Sequence, residues 1–285
     1  MSTPREFCCD VRIGRLTGLR SGNPDGPKVL ALHGWLDNAA SFVPLSRHLD
    51  DVDLVMLDLP GHGRSAHFPP GADYMLAGSI AHVLDVADQL QWSRFALLGH
   101  SMGGGIASMV AAAVPERITA LVTIEALGAL AESADHSVSR LRESVAAARA
   151  LPDKALRVFS GIAAPIRARM RANQLSEPSA RLLVERGIRA VEGGYVWCTD
   201  PRLTLPTAVR MTEAQIDALI EGIEAPTRVI YADPPQPYFP EPLRSARVAR
   251  LRHGDMQVIP GCHHLHMEAP AAVAAAIGGL LSQSR

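Results

Sequence analysis

Residues 97–105 read LLGHSMGGG, an apolar run that stops at a serine fenced by glycines. Within it Gly99, His100, Ser101, Met102 and Gly103 form the pattern G-x-S-x-G. A serine hydroxyl is a weak nucleophile at its ordinary acidity, so attack requires a neighbouring base to take its proton. The segment 260–270, PGCHHLHMEAP, offers three candidate bases, His263, His264 and His266. Attack on a carbonyl also puts negative charge on its oxygen, which needs two fixed donors. One is the N–H of Met102, just after the serine. The other falls to Trp35 in the His33-Gly34-Trp35 loop that ends the first strongly apolar strand.

These groups are useful only if the chain brings them together. Residues 94–98 are predicted as a buried strand and 103–114 as a small-residue helix, which puts Ser101 on a strand-to-helix turn. A turn this sharp forces the serine into an unfavourable backbone conformation and crowds both flanks, so glycine is needed on each side. The helix then aims its first amides at the point where charge would develop. Taken alone, the same pattern also fits a glycine-rich turn before a closely packed helix.

The surrounding pattern supplies the context. Strands are predicted at 28–32, 52–59, 118–125, 226–232 and 256–259, with helices near 38–49, 74–91 and 270–281. Residues 6–20 alternate apolar and polar side chains, which suits an antiparallel edge hairpin. Strands alternating with helices at this spacing imply an α/β fold: a mostly parallel twisted sheet with helices on both faces. Ligands of such sheets bind outside the carboxyl ends of the strands. The His33 loop, Ser101, Glu125 or Asp233, and the three histidines all fall at such ends.

The alternation stops at 127–224, where arginine-rich helical segments contain no predicted core strand. This block is expected to be an inserted helical cap, dividing the core into 1–126 and 225–285. Between Arg140 and Arg189, ten Arg and one Lys stand against three Glu and one Asp, a local excess of seven positive charges. Such runs are usually solvated surface. The sharper reading is a basic rim that guides an anionic substrate or an acidic carrier protein.

Composition narrows the partners. A net charge of -1 over 285 residues gives no reason to expect nucleic acid. Four cysteines, two of them adjacent, do not make a disulfide framework and suggest a reducing, cytoplasmic setting. No run is long and apolar enough to span a membrane, and residues 1–14 carry no apolar signal core. Clustered histidines can hold a metal, but no second ligand cluster at suitable spacing accompanies them, so no metal is expected. Neither phosphate-cradling glycine motif is present, so no nucleotide cofactor is expected.

In chain order, HGW, PGHGRS, GHSMGG, an apolar strand ending in an acid, a helical insertion and a His followed by MEAP resemble the α/β-hydrolase superfamily. HGWLDNAASF, VEGGYVW with DPRL after it, and GCHHLHMEAP are similar to its serine hydrolase-like group. The likeness spans nearly all of the chain outside the cap. It implies a serine nucleophile, a histidine base and a carboxylate. In such relatives the catalytic histidine commonly follows a small residue, with Glu five and Pro seven positions later. That register selects His263, with Glu268 and Pro270, and leaves His264 and His266 to packing or support.

The acid departs from the common pattern. Many relatives carry G-x-x-D after the penultimate strand, but here the stretch is Ala232, Asp233, Pro234, Pro235. Two carboxylates stay open, Glu125 at the end of the strand after the nucleophile helix and Asp233 two residues early. Glu125 is preferred, because an unpaired carboxylate closing a buried strand is costly. Asp233 has an alternative role as cap of the proline-rich turn. The expected activity is hydrolysis of a small-molecule carboxylic ester or thioester through an acyl-enzyme on Ser101, without a cofactor. If the basic rim acts, anionic or carrier-bound acyl groups are preferred. The alternatives are a ligand-binding protein without turnover and cofactor-free lyase chemistry on the same scaffold.

Overall fold

The computed structural model describes residues 3–151 and 157–282. Its apolar runs become strands that pair into one eight-stranded sheet. An antiparallel hairpin, β1 (Arg5–Val11) and β2 (Gly14–Gly22), forms one edge. Strands β3 (Lys28–Leu32), β4 (Asp53–Leu57), β5 (Phe95–His100) and β6 (Ile118–Ile124) make its middle. After the insertion, β9 (Thr227–Asp233) and β10 (Gly254–Pro260) complete it. The order is β1-β2-β4-β3-β5-β6-β9-β10. Every pairing from β4 to β10 is parallel, so those strands end on one edge.

Both faces of this sheet are covered, which is why its central strands are apolar throughout rather than alternating. On one face α2 (Ser79–Gln89) and α3 (Met102–Ala113) set Val83, Val86, Ile106 and Val110 against Leu30, Leu97 and Leu121. On the other, α1 (Val43–Ser46) and α10 (Pro270–Ile277) set Leu45, Val273 and Ile277 against Val29, Leu98 and Val122. Each fully buried Leu, Ile or Val contributes about 1.5–3 kcal/mol through removal from water.

Local structure differs from expectation in two places. The helix expected at 38–49 is a 3-10 turn, Ala39–Phe42, followed by the single turn α1. Asn38 caps the first by accepting from the Ala40 N–H, and Pro44 has no N–H with which to continue the ladder. The insertion also holds an antiparallel hairpin, β7 (Ile188–Val191) and β8 (Gly194–Trp197), where only helices were expected. These strands are too short to register as core, although the glycines at 193 and 194 between β-formers mark the turn.

The remaining insertion elements are α4 (Ser137–Ala150), α5 (Ala163–Asn173), α6 (Glu177–Gly187) and α7 (Glu213–Glu221). Helix α7 lies inside the expected cap segment, yet its Ile216 and Ile220 belong to the core cluster around α3. In contrast, α5 and α6 build a separate cluster from Ile166, Leu183 and Val184, which closes on Met267 of the core. No helix among the described residues is long and apolar enough to cross a membrane.

Ion pairs fasten the insertion and absorb part of its charge. Arg186 of α6 is buried against Asp58 at 2.8 Å and reaches Glu6 at 3.0 Å. Asp58 also accepts from the Ala39 and Arg64 amides, which holds the PGHGRS loop. Arg140, Arg169 and Arg181 likewise have carboxylate partners, in Glu132, Asp37 and Glu177. Four of the ten arginines in the basic stretch therefore already have acidic partners. Removing one member of a buried pair leaves an uncompensated charge, at a cost of about 3–5 kcal/mol. Arg186→Leu is accordingly expected to lower unfolding free energy in urea by about 3 kcal/mol, whereas Arg181→Leu, half-exposed, stays within about 1 kcal/mol. Equal small losses in the two variants would contradict this assignment.

Candidate active site

Strand β5 delivers Ser101 to the carboxyl edge of the sheet and α3 leaves from it at once. Ser101 has φ 51° and ψ -118°, a strained conformation for a residue with a side chain. Close packing makes the turn possible only with glycine on either side. A Cβ on Gly99 would lie 2.5 Å from the Gly103 carbonyl oxygen, and one on Gly103 would lie 1.9 Å from the Leu32 oxygen. The Ser101 N–H donates to the Ile124 carbonyl, tying the turn to the neighbouring strand end.

Glu125 follows that strand end, also at positive φ, with its side chain 1 % exposed. Its Oε2 is 3.1 Å from His263 Nδ1. Its Oε1 accepts from the Ala232 N–H at 2.6 Å and lies 3.4 Å from Arg244 of α8 (Glu241–Val248). One oxygen is thus held by β9 and α8, and the other faces the imidazole. With its Nδ1–H directed at a carboxylate, the His263 ring leaves Nε2 as the available base. Asp233 lies elsewhere: it is exposed at the end of β9, and its side chain makes no hydrogen bond among the described residues.

The Met102 and Trp35 amides, expected to cradle an oxyanion, have no acceptor among the described residues. Trp35 is 53 % exposed, and its indole donates through Nε1 to the Leu203 carbonyl of the insertion. His33 fixes the loop, with Nδ1 against the Gly34 carbonyl and Nε2 accepting from the Leu59 N–H. A cavity of ≈ 220 Å³ opens beside His263, lined by Tyr238, Gln236, Asn173, Gln174 and His264. No arginine among the described residues lines it.

Beneath the base loop lies an arrangement that sequence spacing did not reveal. His100 Nε2–H donates to the His263 carbonyl at 2.9 Å, joining the serine turn to the loop of His263. His264 Nε2 is 3.1 Å from Asp37 Oδ2, and Arg169 holds the other oxygen of the same carboxylate. His266, on the single turn α9 (Leu265–Glu268), packs between Phe42 and His100. Asp37, His100 and His264 bring three potential metal-ligand atoms within 4.8 Å of one another, all buried. Arg169 already supplies Asp37 with a fixed cation, so the cluster reads as an internally compensated support for the loop. Burial alone would raise the Asp37 pKa, but His264 and Arg169 together hold it well below the usual carboxylate range.

Four residues that line or brace this candidate site do not stand out in the sequence: Asp37, Arg169, Tyr238 and Arg244. Asp37 sits in HGWLDN, but nothing in the chain ties it to a histidine 227 positions away. Arg244 and Arg247 are buried three residues apart on α8, a helix whose sequence looks solvated.

The chain belongs to the alpha/beta hydrolase fold family, whose model matches residues 27–185. It is 30 % identical to the serine hydrolase-like protein of Danio rerio, over 97 % of this chain and 88 % of that one. A crystal structure of a hypothetical protein from Pseudomonas aeruginosa PAO1 superimposes with a TM-score of 0.91 at 38 % identity, covering 98 % of this chain and 99 % of that one. A thioesterase domain from the curacin biosynthetic pathway shares the fold, with a TM-score of 0.84 at 24 % identity over 97 % and 99 % of the two chains.

Burial pushes His33, His62, His100 and His266 below their ordinary pKa of 6.5, His62 to about 3, with neighbouring imidazoles adding to the effect at the last three. The unfolded chain takes up protons at these sites below pH 6.5 while the folded chain does not. Stability therefore falls as pH drops through that value, by about 1.4 kcal/mol per pH unit for each group. Urea midpoints should decline between pH 7.5 and 5.5, and His266→Phe should make the decline shallower. A flat profile would show that these rings are protonated in the folded state.

Proposed function

We propose that this hydrolase-fold protein cleaves a carboxylic ester or thioester through an acyl-enzyme on Ser101. The observation that carries the reading is the 3.1 Å contact between His263 Nδ1 and the buried Glu125. It fixes the tautomer in which Nε2 takes the serine proton, and it stabilises the imidazolium that results. Ser101 then attacks the carbonyl, and the Trp35 and Met102 amides receive the oxyanion. His263 returns the proton to the departing alcohol or thiol, and a water activated by the same ring releases the acid. The cavity beside His263 carries the side-chain amides of Asn173, Gln174 and Gln236, and recognition of an anionic acyl group draws no support from it. Four free cysteines suit a reducing, cytoplasmic setting.

The test uses short p-nitrophenyl esters. Ser101→Ala, His263→Ala and Glu125→Gln should each lower kcat by about 10³–10⁴-fold, with Asp233→Asn within about twofold of the parent. If Ser101→Ala keeps the parental rate, the nucleophile is wrong. If Asp233→Asn fails and Glu125→Gln does not, the acid is wrong.

A further inference from the structure

Helix α4 runs for 14 residues with none of them buried. Its half-buried positions are Arg140, Ser144 and Ala147, which at 100° per residue share one stripe facing the molecule. Arg140 anchors that stripe to Glu132 and to the Thr207 carbonyl. The larger apolar side chains lie on the opposite side, with Val138, Leu141 and Val145 exposed by 58, 46 and 54 %. A surface helix ordinarily turns its apolar stripe inward. This one presents it to the outside, although an isolated helix of such length is marginal in water.

The spacing of Val138, Leu141 and Val145, three then four residues, is that of a seam for a partner helix. Along one flank of the seam stand Arg142 and Arg149, neither bonded to a carboxylate among the described residues. That charge row selects the occupant. In an antiparallel two-fold contact with a second copy the row would be set against itself, and in a parallel one it would meet only Ser137 and Ser144, so neither pairing supplies it with a carboxylate. The stripe holds no tryptophan, phenylalanine or other bulky anchor beyond one leucine, which makes it a poor insert for a lipid surface. An acidic helix satisfies both features.

We propose that the outward face of α4 docks a partner protein through an acidic amphipathic helix. The partner's apolar stripe covers Val138, Leu141 and Val145, and its carboxylates meet Arg142 and Arg149. None of these five side chains lines the cavity beside His263, and the test below reads binding, not turnover.

The probe is a fluorescein-labelled peptide of about three heptads with Leu at the a and d positions and Glu at the flanking e and g positions. A matched peptide carries Lys in place of Glu. Fluorescence anisotropy with the full-length protein should show binding of the Glu peptide and weaker binding of the Lys peptide. The double variant Arg142→Glu/Arg149→Glu should lose at least about tenfold in affinity for the Glu peptide and gain for the Lys peptide. Leu141→Asp should abolish both, with circular dichroism confirming that each variant folds. Binding of neither peptide, or of both equally, would overturn the proposal. So would a dimer in sedimentation that Leu141→Asp dissociates, or Leu141-dependent pelleting with phosphatidylglycerol vesicles.

Discussion

A carboxylate enclosed at the end of a buried strand must be met by donors, and Glu125 is the group around which this structure closes. Isolated in the interior, such a charge would cost far more than the fold could offset. The backbone N–H of Ala232 and the guanidinium of Arg244 satisfy one oxygen, and His263 satisfies the other. That requirement reaches through the molecule. It sets the height of β9 beside β6, draws α8 inward by its arginine, and holds the loop after β10 over the end of the sheet. A second buried carboxylate, Asp37, secures the same loop through His264, and His100 links it to the serine turn.

Arginine does similar work across the insertion. Arg169 and Arg186 leave their own helices to meet Asp37 and Asp58 of the core, where water is excluded. These contacts put the insertion in fixed register with the carboxyl edge of the sheet. Trp35 Nε1 and Asn38 Nδ2 add hydrogen bonds to the Leu203 and Leu183 carbonyls from the core side. A stretch that looks in composition like a basic surface is in good part a set of internal fasteners, and the arginines left over are concentrated on exposed faces.

The central sheet was readable because burial on both faces demands uninterrupted apolar runs, and KVLAL and ITALVTI permit little else. Ser101 was readable because its turn demands glycine at 99 and 103, a steric need that leaves a mark in sequence. The contact of Glu125 with His263, which spans 138 positions, left a weaker mark: an acid at a strand end, in competition with Asp233. The β7–β8 hairpin and the split of the insertion, with α7 joined to the core, follow from tertiary packing that local pattern does not encode. The roles of Asp37, Arg169 and Arg244 were unreadable for the same reason. A buried charged residue is spelled like an exposed one, and only its distant partner tells them apart.

The claim beneath the whole account is that a strained serine, an imidazole and an enclosed carboxylate act as one unit. Its most direct test is the mass of the intact protein after brief exposure to a fluorophosphonate, which reacts far faster with an activated serine than with other side chains, followed by peptide mapping. The account predicts a single adduct on the peptide that contains Ser101. An unmodified protein, or an adduct on any other residue, would contradict it.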